Sequence, residues 1–213
     1  MKHAATPNVG REQITAKLAF IGWADGDPRW KALEHFLNRV RDAGLSLVSQ
    51  RDRSRLVERH LIPSLEALPF LSESANILDV GSGAGFPAIP LALSRLDCRF
   101  AAVESNERKS EFLARVSRET GLLNAMVIRS RVQDLGDEHL GRYDIVTARA
   151  LTRMGELVEW TSPFLRAGGK WVLWKGQRWR DEADLAAMGV RLVEERTLSD
   201  GGRLVVLERS EGA

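Results

Sequence analysis

The chain has 213 residues, 44% of them hydrophobic, which is enough for one sizeable core. Its formal net charge is only +2, so no strong overall basic field identifies a partner. The first residues lack an apolar signal segment and no apolar run of about 18 residues occurs, so we expect a cytoplasmic protein without a membrane span. Cys98 is the only cysteine and the histidines show no ligand spacing, which excludes an intrachain disulfide and a zinc–thiolate site and predicts no metal.

Helical spacing predicts an N-terminal extension of three helices, at residues 11–22, 29–43 and 53–68. From residue 76 onward, strand and helix patterns alternate. The predicted strands are 76–80, 99–103, 125–129, 143–148, 170–175, 190–196 and 203–208. The predicted helices are 87–95, 106–120, 153–165, which Gly168 and Gly169 would close, and 179–187. We therefore expect a helical extension over residues 1–70, packed on an α/β domain over residues 71–213.

This alternation predicts a Rossmann-like α/β fold, in which helices cover both faces of a mostly parallel seven-stranded sheet. Residues 199–202 are short enough to join the last two strands as a hairpin, so the last strand should run antiparallel. A parallel sheet with an antiparallel last strand is the topology of class I methyltransferases that use S-adenosylmethionine (SAM). A dinucleotide-binding fold would need a second mononucleotide-binding half instead.

Residues 77–87 (ILDVGSGAGFP) are typical of a strand, a glycine loop and the start of a helix. The dinucleotide fingerprint requires a third glycine where this chain has Phe86, so we expect Phe86 to block the approach of a pyrophosphate. The order Gly81, Gly83, Gly85, with Asp79 before it, resembles the first motif of SAM-dependent methyltransferases. The alternative is a tight turn without a ligand.

Polar residues follow the predicted strands at the edge where ligands bind in such sheets. Glu104 follows the second strand and can accept hydrogen bonds from ribose hydroxyls, which SAM and NAD share. Residues 130–133 follow the third strand and could bracket adenine. Arg149 and Lys175 end the fourth and fifth strands beside the expected sulfonium, although each could instead serve a local ion pair.

Basic residues form two clusters, at residues 39–60 and 166–180. A solvated face would look the same, but two clusters flanking one cofactor fold favour an anionic substrate. Their members are Arg39, Arg41, Arg51, Arg53, Arg55 and Arg59 in the first, and Arg166, Lys170, Lys175, Arg178 and Arg180 in the second.

Two common methylation chemistries do not fit the sequence. Methylation of exocyclic amino groups commonly uses a proline-containing loop after the fourth strand, and residues 147–150 contain no proline. Methylation at carbon 5 of pyrimidines needs a cysteine nucleophile, and Cys98 lies before the second strand. A ring nitrogen with a lone pair and no proton requires neither device.

Seven segments together resemble the family of bacterial small-subunit rRNA guanine-N7 methyltransferases, RsmG or GidB. They are RD at 51–52, RHLIPSL at 59–65, LDVGSGAGFPAIPL at 78–91, ERKSEFL at 107–113, SRV at 130–132, TARA at 147–150 and LWKGQ at 173–177. The chain departs from the family pattern at Ser46, Pro63, Ala88 and Gln133, where members usually have Asn, Asp, Gly and Glu.

The resemblance implies SAM as cofactor and, as substrate, one guanine in the decoding-centre loop of 16S rRNA, in the small ribosomal subunit or an assembly intermediate. Arg149 and Lys175 are the catalytic candidates, either contacting guanine O6 or holding loop backbone. The expected SAM contacts are Asp79, Gly81, Ser82, Gly83, Gly85, Phe86, Glu104, Val132, Gln133 and Arg149. The expected RNA contacts are Arg51, Arg53, Arg55, Arg59, His60, Lys175, Arg178 and Arg180.

Two other classes of function stay open. The chain could methylate another RNA, a small molecule or a protein, and the position of both basic clusters relative to the SAM pocket would discriminate these. It could also be a dinucleotide-binding protein or a non-catalytic RNA-binding module, against which Phe86 and the intact glycine motif argue. The sequence does not determine the oligomeric state, for which a monomer is the expectation.

Overall fold

A computed structural model describes residues 10–44, 46–149, 151–182 and 184–210. Its centre is a seven-stranded sheet in the order β3-β2-β1-β4-β5-β7-β6. All pairings are parallel except those of β7, which runs antiparallel to both neighbours, as predicted. The strands are β1 (Asn76–Val80), β2 (Arg99–Val103), β3 (Ala125–Ile128), β4 (Tyr143–Arg149), β5 (Leu165–Lys175), β6 (Val190–Thr197) and β7 (Arg203–Arg209).

Helices cover both faces of this sheet. They are α1 (Arg11–Lys17), α2 (Arg29–Asp42), α3 (Ile62–Leu65), α4 (Ala88–Ser94), α5 (Glu107–Glu119) and α6 (Met154–Thr161). Successive residues of a strand point to opposite faces, so Ile145 belongs to the core shared with α1–α5 and Val146 to the core shared with α6. The extension therefore shares one continuous core with the sheet; a domain division at residue 70 stays a prediction. Among the described residues, no helix has the length and apolar character needed to cross a bilayer.

The predicted helix at 53–68 is not one regular α-helix. Arg53–Arg55 form a 3-10 turn, Val57–Leu61 a π-helical turn, and only α3 is regular. Pro63 has no N–H, so the carbonyl of Arg59, four residues earlier, receives no α-helical hydrogen bond. The helix continues only by widening into the π turn.

Two predictions in the second half of the chain are wrong in their boundaries. Gly168 and Gly169 do not close a helix, because the 3-10 turn Ser162–Phe164 already ends α6. The two glycines lie inside β5, where the pairing of β5 with β4 shifts register. Between 179 and 187 the described residues hold only a 3-10 turn, Trp179–Glu182. Asp184 Oδ1 then accepts a hydrogen bond from Ala187 N at 3.1 Å, which favours a turn over a continuing helix.

Polar contacts fix the extension to the carboxyl end of the parallel strands. Trp174 Nε1, near the end of β5, donates to the carbonyl of Pro63 at 2.7 Å. Arg59 Nη1 donates to the carbonyl of Asp200, in the β6–β7 hairpin, at 3.0 Å. Glu66 accepts from Ser199 N at 3.1 Å. The extension thereby forms one wall of the sheet edge at which ligands are expected.

Candidate functional site

The loop after β1 adopts a conformation that only glycine accommodates well. Gly81 has φ +71° and Gly85 has φ +94°. A Cβ atom on Gly81 would lie 2.5 Å from Leu151 Cδ1, and one on Gly85 would lie 2.8 Å from Ile89 Cγ1. The backbone angles therefore explain both glycines, and close packing against the buried Ile89 also explains Gly85, whereas the exposed Leu151 side chain could move away from a Cβ atom on Gly81.

Glu104 is joined to this loop. Its Oε2 atom accepts a hydrogen bond from Gly83 N at 2.9 Å, and its Oε1 atom accepts one from Asn106 N at 2.8 Å. The side chain is nearly buried, at the carboxyl end of β2. The structure thus places a carboxylate directly beside the glycine loop, as the sequence predicted.

Asp79 lies beneath the same loop, and only one of its two carboxylate oxygens accepts a hydrogen bond. Its Oδ1 atom accepts from Thr147 Oγ1 at 2.7 Å, whereas its Oδ2 atom is buried without a hydrogen-bond partner. Burial, with a smaller contribution from the negative charge of Glu104, raises the pKa of Asp79 to about 6. A buried acceptor without a partner costs free energy, so this site fits a ligand that brings a donor or a positive charge.

The turn after β3 lies at the same edge of the sheet. Val132 is buried and Gln133 is exposed in the 3-10 turn Val132–Asp134. Glu104 N donates to the carbonyl of Ile128 at the end of β3, which joins this turn to the Glu104 side of the loop. The arrangement can enclose a nucleoside between the ends of β1, β2 and β3.

Phe86 does not obstruct the loop as expected. Its ring is buried, with its centroid 4.9 Å from that of Phe36 and 5.2 Å from that of His60, on which it stacks. Any contact of Phe86 with a cofactor would come from its backbone. The exclusion of a pyrophosphate by this ring is therefore wrong, because the ring points into the core.

His60 is likewise not an exposed cation available to phosphate. Its side chain is 17% exposed, and its Nε2 atom lies 3.6 Å from Asp52 Oδ2. Burial, with a smaller contribution from the positive charge of Arg149, lowers the pKa of His60 to about 4. The ring is neutral at pH 7 and packs the extension against the loop.

Arg149 and Lys175 both hold backbone carbonyls. Arg149 Nη1 donates to the carbonyl of His60 at 3.1 Å, and Arg149 Nη2 donates to that of Arg59. Lys175 Nζ donates to the carbonyl of Thr152, in the segment after β4, at 3.1 Å. Burial lowers the pKa of Arg149, and Asp200 counteracts this shift. Of the two roles considered for these residues, the structure shows the backbone-holding one; direct contact with a substrate stays a prediction.

The second basic cluster is divided between the two ends of the sheet. Arg166 pairs with Asp144 at the start of β4, and Lys170 lies within β5, so neither lies near the glycine loop. In the first cluster, Arg41 is buried against Asp42 and Arg39 pairs with Glu119. These four are set apart from the candidate site. The basic residues at the carboxyl end, besides Arg149, are Arg51, Arg53, Arg55 and Arg59 on the extension, Lys175 at the end of β5, and Arg178 and Arg180 after β5.

A cavity of about 720 Å³ opens between the ends of β4 and β5 and the β6–β7 hairpin. Arg59, Arg149, Lys175, Arg178 and Asp200 contribute its charged lining. The sequence analysis did not single out Asp200, because residues 199–202 signalled only a hairpin turn. A cavity of similar volume lies at the opposite end of the strands, near Cys98, far from the glycine loop.

Cys98 lies away from this arrangement. The Cys98 thiol is buried at the amino end of β2, and burial raises its pKa. Within the ranges that the structure describes, no group of three or more His, Cys, Asp or Glu side chains could hold a metal ion.

Comparisons with known proteins relate the chain to one family. The family model of GidB, rRNA small subunit methyltransferase G, matches residues 29–198. Proteins described as ribosomal RNA small subunit methyltransferase G are 40% identical over 176 residues in Sorangium cellulosum (78% of this chain, 73% of the relative) and 36% identical over 181 residues in Mycolicibacterium smegmatis (84% and 73%). The Neisseria gonorrhoeae relative is 37% identical over 131 residues, and the chain spans 62% of its length.

Solved structures agree with the fold. A SAM-dependent methyltransferase from Aquifex aeolicus superposes with a TM-score of 0.63 at 18% identity, covering 74% of this chain and 94% of that one. The antibiotic-resistance methyltransferase Kmr superposes with a TM-score of 0.53 at 18% identity, covering 68% and 93%. At these identities the likeness establishes the class I methyltransferase fold.

Proposed function

Because the chain belongs to the rRNA small subunit methyltransferase G family, we propose that it transfers the methyl group of SAM to N7 of a guanine in 16S rRNA. The observation that supports SAM as the cofactor is the glycine loop, with Glu104 hydrogen-bonded to it and Asp79 Oδ2 without a hydrogen-bond partner beneath it. Membership of the family supports 16S rRNA as the substrate. The partner is the small ribosomal subunit or its assembly intermediate, and the place of action is the cytoplasm.

The residues of the site fit SAM. Gly81–Gly85 would lie against its methionine part, Glu104 would accept hydrogen bonds from the ribose hydroxyls, and Val132 and Gln133 would flank the adenine. Asp79, whose free oxygen lacks a partner, would complement the positive charge of the ligand. When bound, SAM supplies an electrophilic methyl carbon on a sulfonium.

The chain then has only to position the target base. Guanine N7 carries a lone pair and no proton, so the transfer requires neither a general base nor a covalent intermediate. Arg149 and Lys175 hold the extension and the segment after β4 in place around the reacting atoms. Their positive charges also favour a base whose O6 oxygen lies near them. Catalysis thus depends on orientation and electrostatics.

The test is transfer of a tritium-labelled methyl group from SAM to small subunits that lack the modification, followed by mapping of N7-methylguanine in the 16S rRNA. We expect one labelled guanine with the protein and none without it. Label on a different base, or on none, would contradict the proposal.

Calorimetry tests the cofactor separately. Because the family uses SAM as its methyl donor, SAM should bind and NAD should not. Gly83→Val should weaken SAM binding at least tenfold, because a β-branched side chain is strained at the φ of +52° that this residue adopts. Gly121→Val is the matched control, since Gly121 has φ +70° but lies in the turn after α5, away from the loop. Equal SAM affinity in both variants would exclude the loop as the binding site.

A further inference from the structure

The cavity at the ends of β4 and β5 lies at the same edge of the sheet as the glycine loop, and no residue of that loop lines it. The glycine loop follows β1, the cavity lies at the ends of β4 and β5, and the β6–β7 turn precedes β7. In the sheet these strands are neighbours in the order β1, β4, β5, β7. Neighbouring strands lie about 4.8 Å apart, so the β6–β7 turn is roughly 14 Å from the loop. A purine base is shorter than this span, so a base held at the turn would extend toward the loop. A volume of about 720 Å³ is also in the range of small-ligand sites.

Asp200 is the acidic side chain of this otherwise basic cavity. Its side chain is 12% exposed. Its Oδ1 atom accepts from Gly202 N at 2.9 Å, within the turn. Its Oδ2 atom lies 3.7 Å from Arg149 Nη2, which is longer than a hydrogen bond. The carboxylate is therefore nearly removed from water, and it belongs to a residue that lines the cavity.

The turn itself does not need this negative charge. The hydrogen bond from Gly202 N requires a single oxygen, which an asparagine would also supply. Removing a carboxylate from water is costly unless donors or positive charges compensate for it. Arg149 compensates in part at its distance of 3.7 Å, and a ligand with two neighbouring donors would complete the compensation.

We propose that Asp200 recognises the Watson–Crick edge of the target guanine, accepting hydrogen bonds from N1–H and from the N2 amino group. Guanine presents these two donors side by side, whereas adenine presents an acceptor at N1. Enzymes that modify a base commonly read it through this edge after it leaves the stack. With this edge held by Asp200, N7 lies on the other side of the base, toward the glycine loop, and O6 lies between them, near Arg149 and Lys175. The inference rests on the proposed guanine-N7 activity and assigns its base specificity.

Asp200→Asn tests the assignment, because it keeps the oxygen for Gly202 and removes the charge. We expect kcat/KM for methyl transfer to small subunits to fall about 10- to 100-fold while SAM affinity stays unchanged. Asp137→Asn, which makes the same change at an exposed position outside the cavity lining, should leave both unchanged. Wild-type rates in Asp200→Asn would overturn the assignment.

Inhibition by free nucleotides separates base recognition from a structural effect. Inosine monophosphate (IMP) lacks the N2 amino group of guanosine monophosphate (GMP). For the wild-type protein we expect GMP to inhibit methyl transfer about tenfold more strongly than IMP. In Asp200→Asn this difference should disappear. Equal inhibition of the wild-type protein by the two nucleotides, or no inhibition by GMP, would overturn the inference. Failure of the parent activity is distinguishable, because the wild-type protein would then not methylate guanine at all.

Discussion

His60 and Asp79 are two buried titratable residues whose effects on stability oppose each other. His60 has a pKa lowered from 6.5 to about 4, so the unfolded chain binds its proton more tightly and stability falls as the pH drops from 6.5 to 4. Asp79 has a pKa raised from 3.8 to about 6, so the folded chain binds its proton more tightly and stability falls as the pH rises from 4 to 6. Each shift corresponds to about 3 kcal/mol.

We therefore expect the wild-type protein to show a weak dependence of stability on pH between 4 and 6.5. In His60→Gln only the Asp79 contribution remains, so the free energy of unfolding should decrease with rising pH. In Asp79→Asn only the His60 contribution remains, so the free energy of unfolding should increase with rising pH. Urea unfolding at several pH values in this window measures both slopes. Slopes of the same sign in the two variants would show that these two residues are not the source of the pH dependence of stability.

At the scale of secondary-structure elements, the π turn and the end of β4 depend on each other. Pro63 deprives the Arg59 carbonyl of its α-helical donor, and Arg149 Nη2 donates to that same carbonyl. Arg149 Nη1 donates to the carbonyl of His60, which also accepts from Ser64 Oγ at 2.6 Å. An arginine at the end of a strand thus completes the hydrogen bonding of a helix 86 positions earlier, counted from Pro63 to Arg149.

A double-mutant cycle tests this coupling. Arg149→Lys should lower the free energy of unfolding by about 2 kcal/mol, since an ammonium group cannot reproduce the two-pronged contact with both carbonyls. Pro63→Ala restores an N–H four residues after Arg59, so the same Arg149→Lys change should cost less in that background. Arg142→Lys, at an exposed position before β4, is the control and should be nearly neutral. Equal costs of Arg149→Lys in both backgrounds would contradict the coupling.

The elements differ in how well the sequence predicts them. The inner strands and the glycine loop are local features, since apolar runs and glycine spacing lie within about ten residues, and the structure confirms them. The helix predicted at 179–187 failed because Asp184 bonds locally to Ala187. Asp200 and the stacking of His60 on Phe86 depend on which distant segments the topology brings together. No local pattern encodes those neighbours.

Across the whole molecule, exposed basic residues occur at both ends of the sheet, and those predicted to contact RNA lie at the carboxyl end. Arg51, Arg55 and Arg178 are exposed there, whereas Arg166 is exposed at the opposite end. Replacing Arg51, Arg55 and Arg178 together by glutamine should weaken RNA binding and reduce the slope of log Kd against log salt by about 2, because each phosphate contact contributes about 0.7 to 0.9. SAM binding should not change.

Arg166→Gln is the control for this experiment. It removes an exposed positive charge of the same kind from the other end of the strands, so it should leave the salt slope unchanged. Titration of a labelled 16S rRNA fragment at several salt concentrations measures the slopes. An equal effect of Arg166→Gln would indicate a diffuse charge effect instead of a defined RNA-binding face.

The position of β7 has a consequence for how the molecule is made. This strand follows β6 in sequence but lies between β5 and β6, and it is the only sheet partner of β6 among the described strands. During synthesis, β6 therefore leaves the ribosome before its native partner, and the sheet remains incomplete until residues 203–209 have emerged. The turn that carries Asp200 takes its place at the same moment. A nascent chain consequently acquires the cavity that contains Asp200 only in the step that completes the sheet, so the base recognition proposed for Asp200 requires that step.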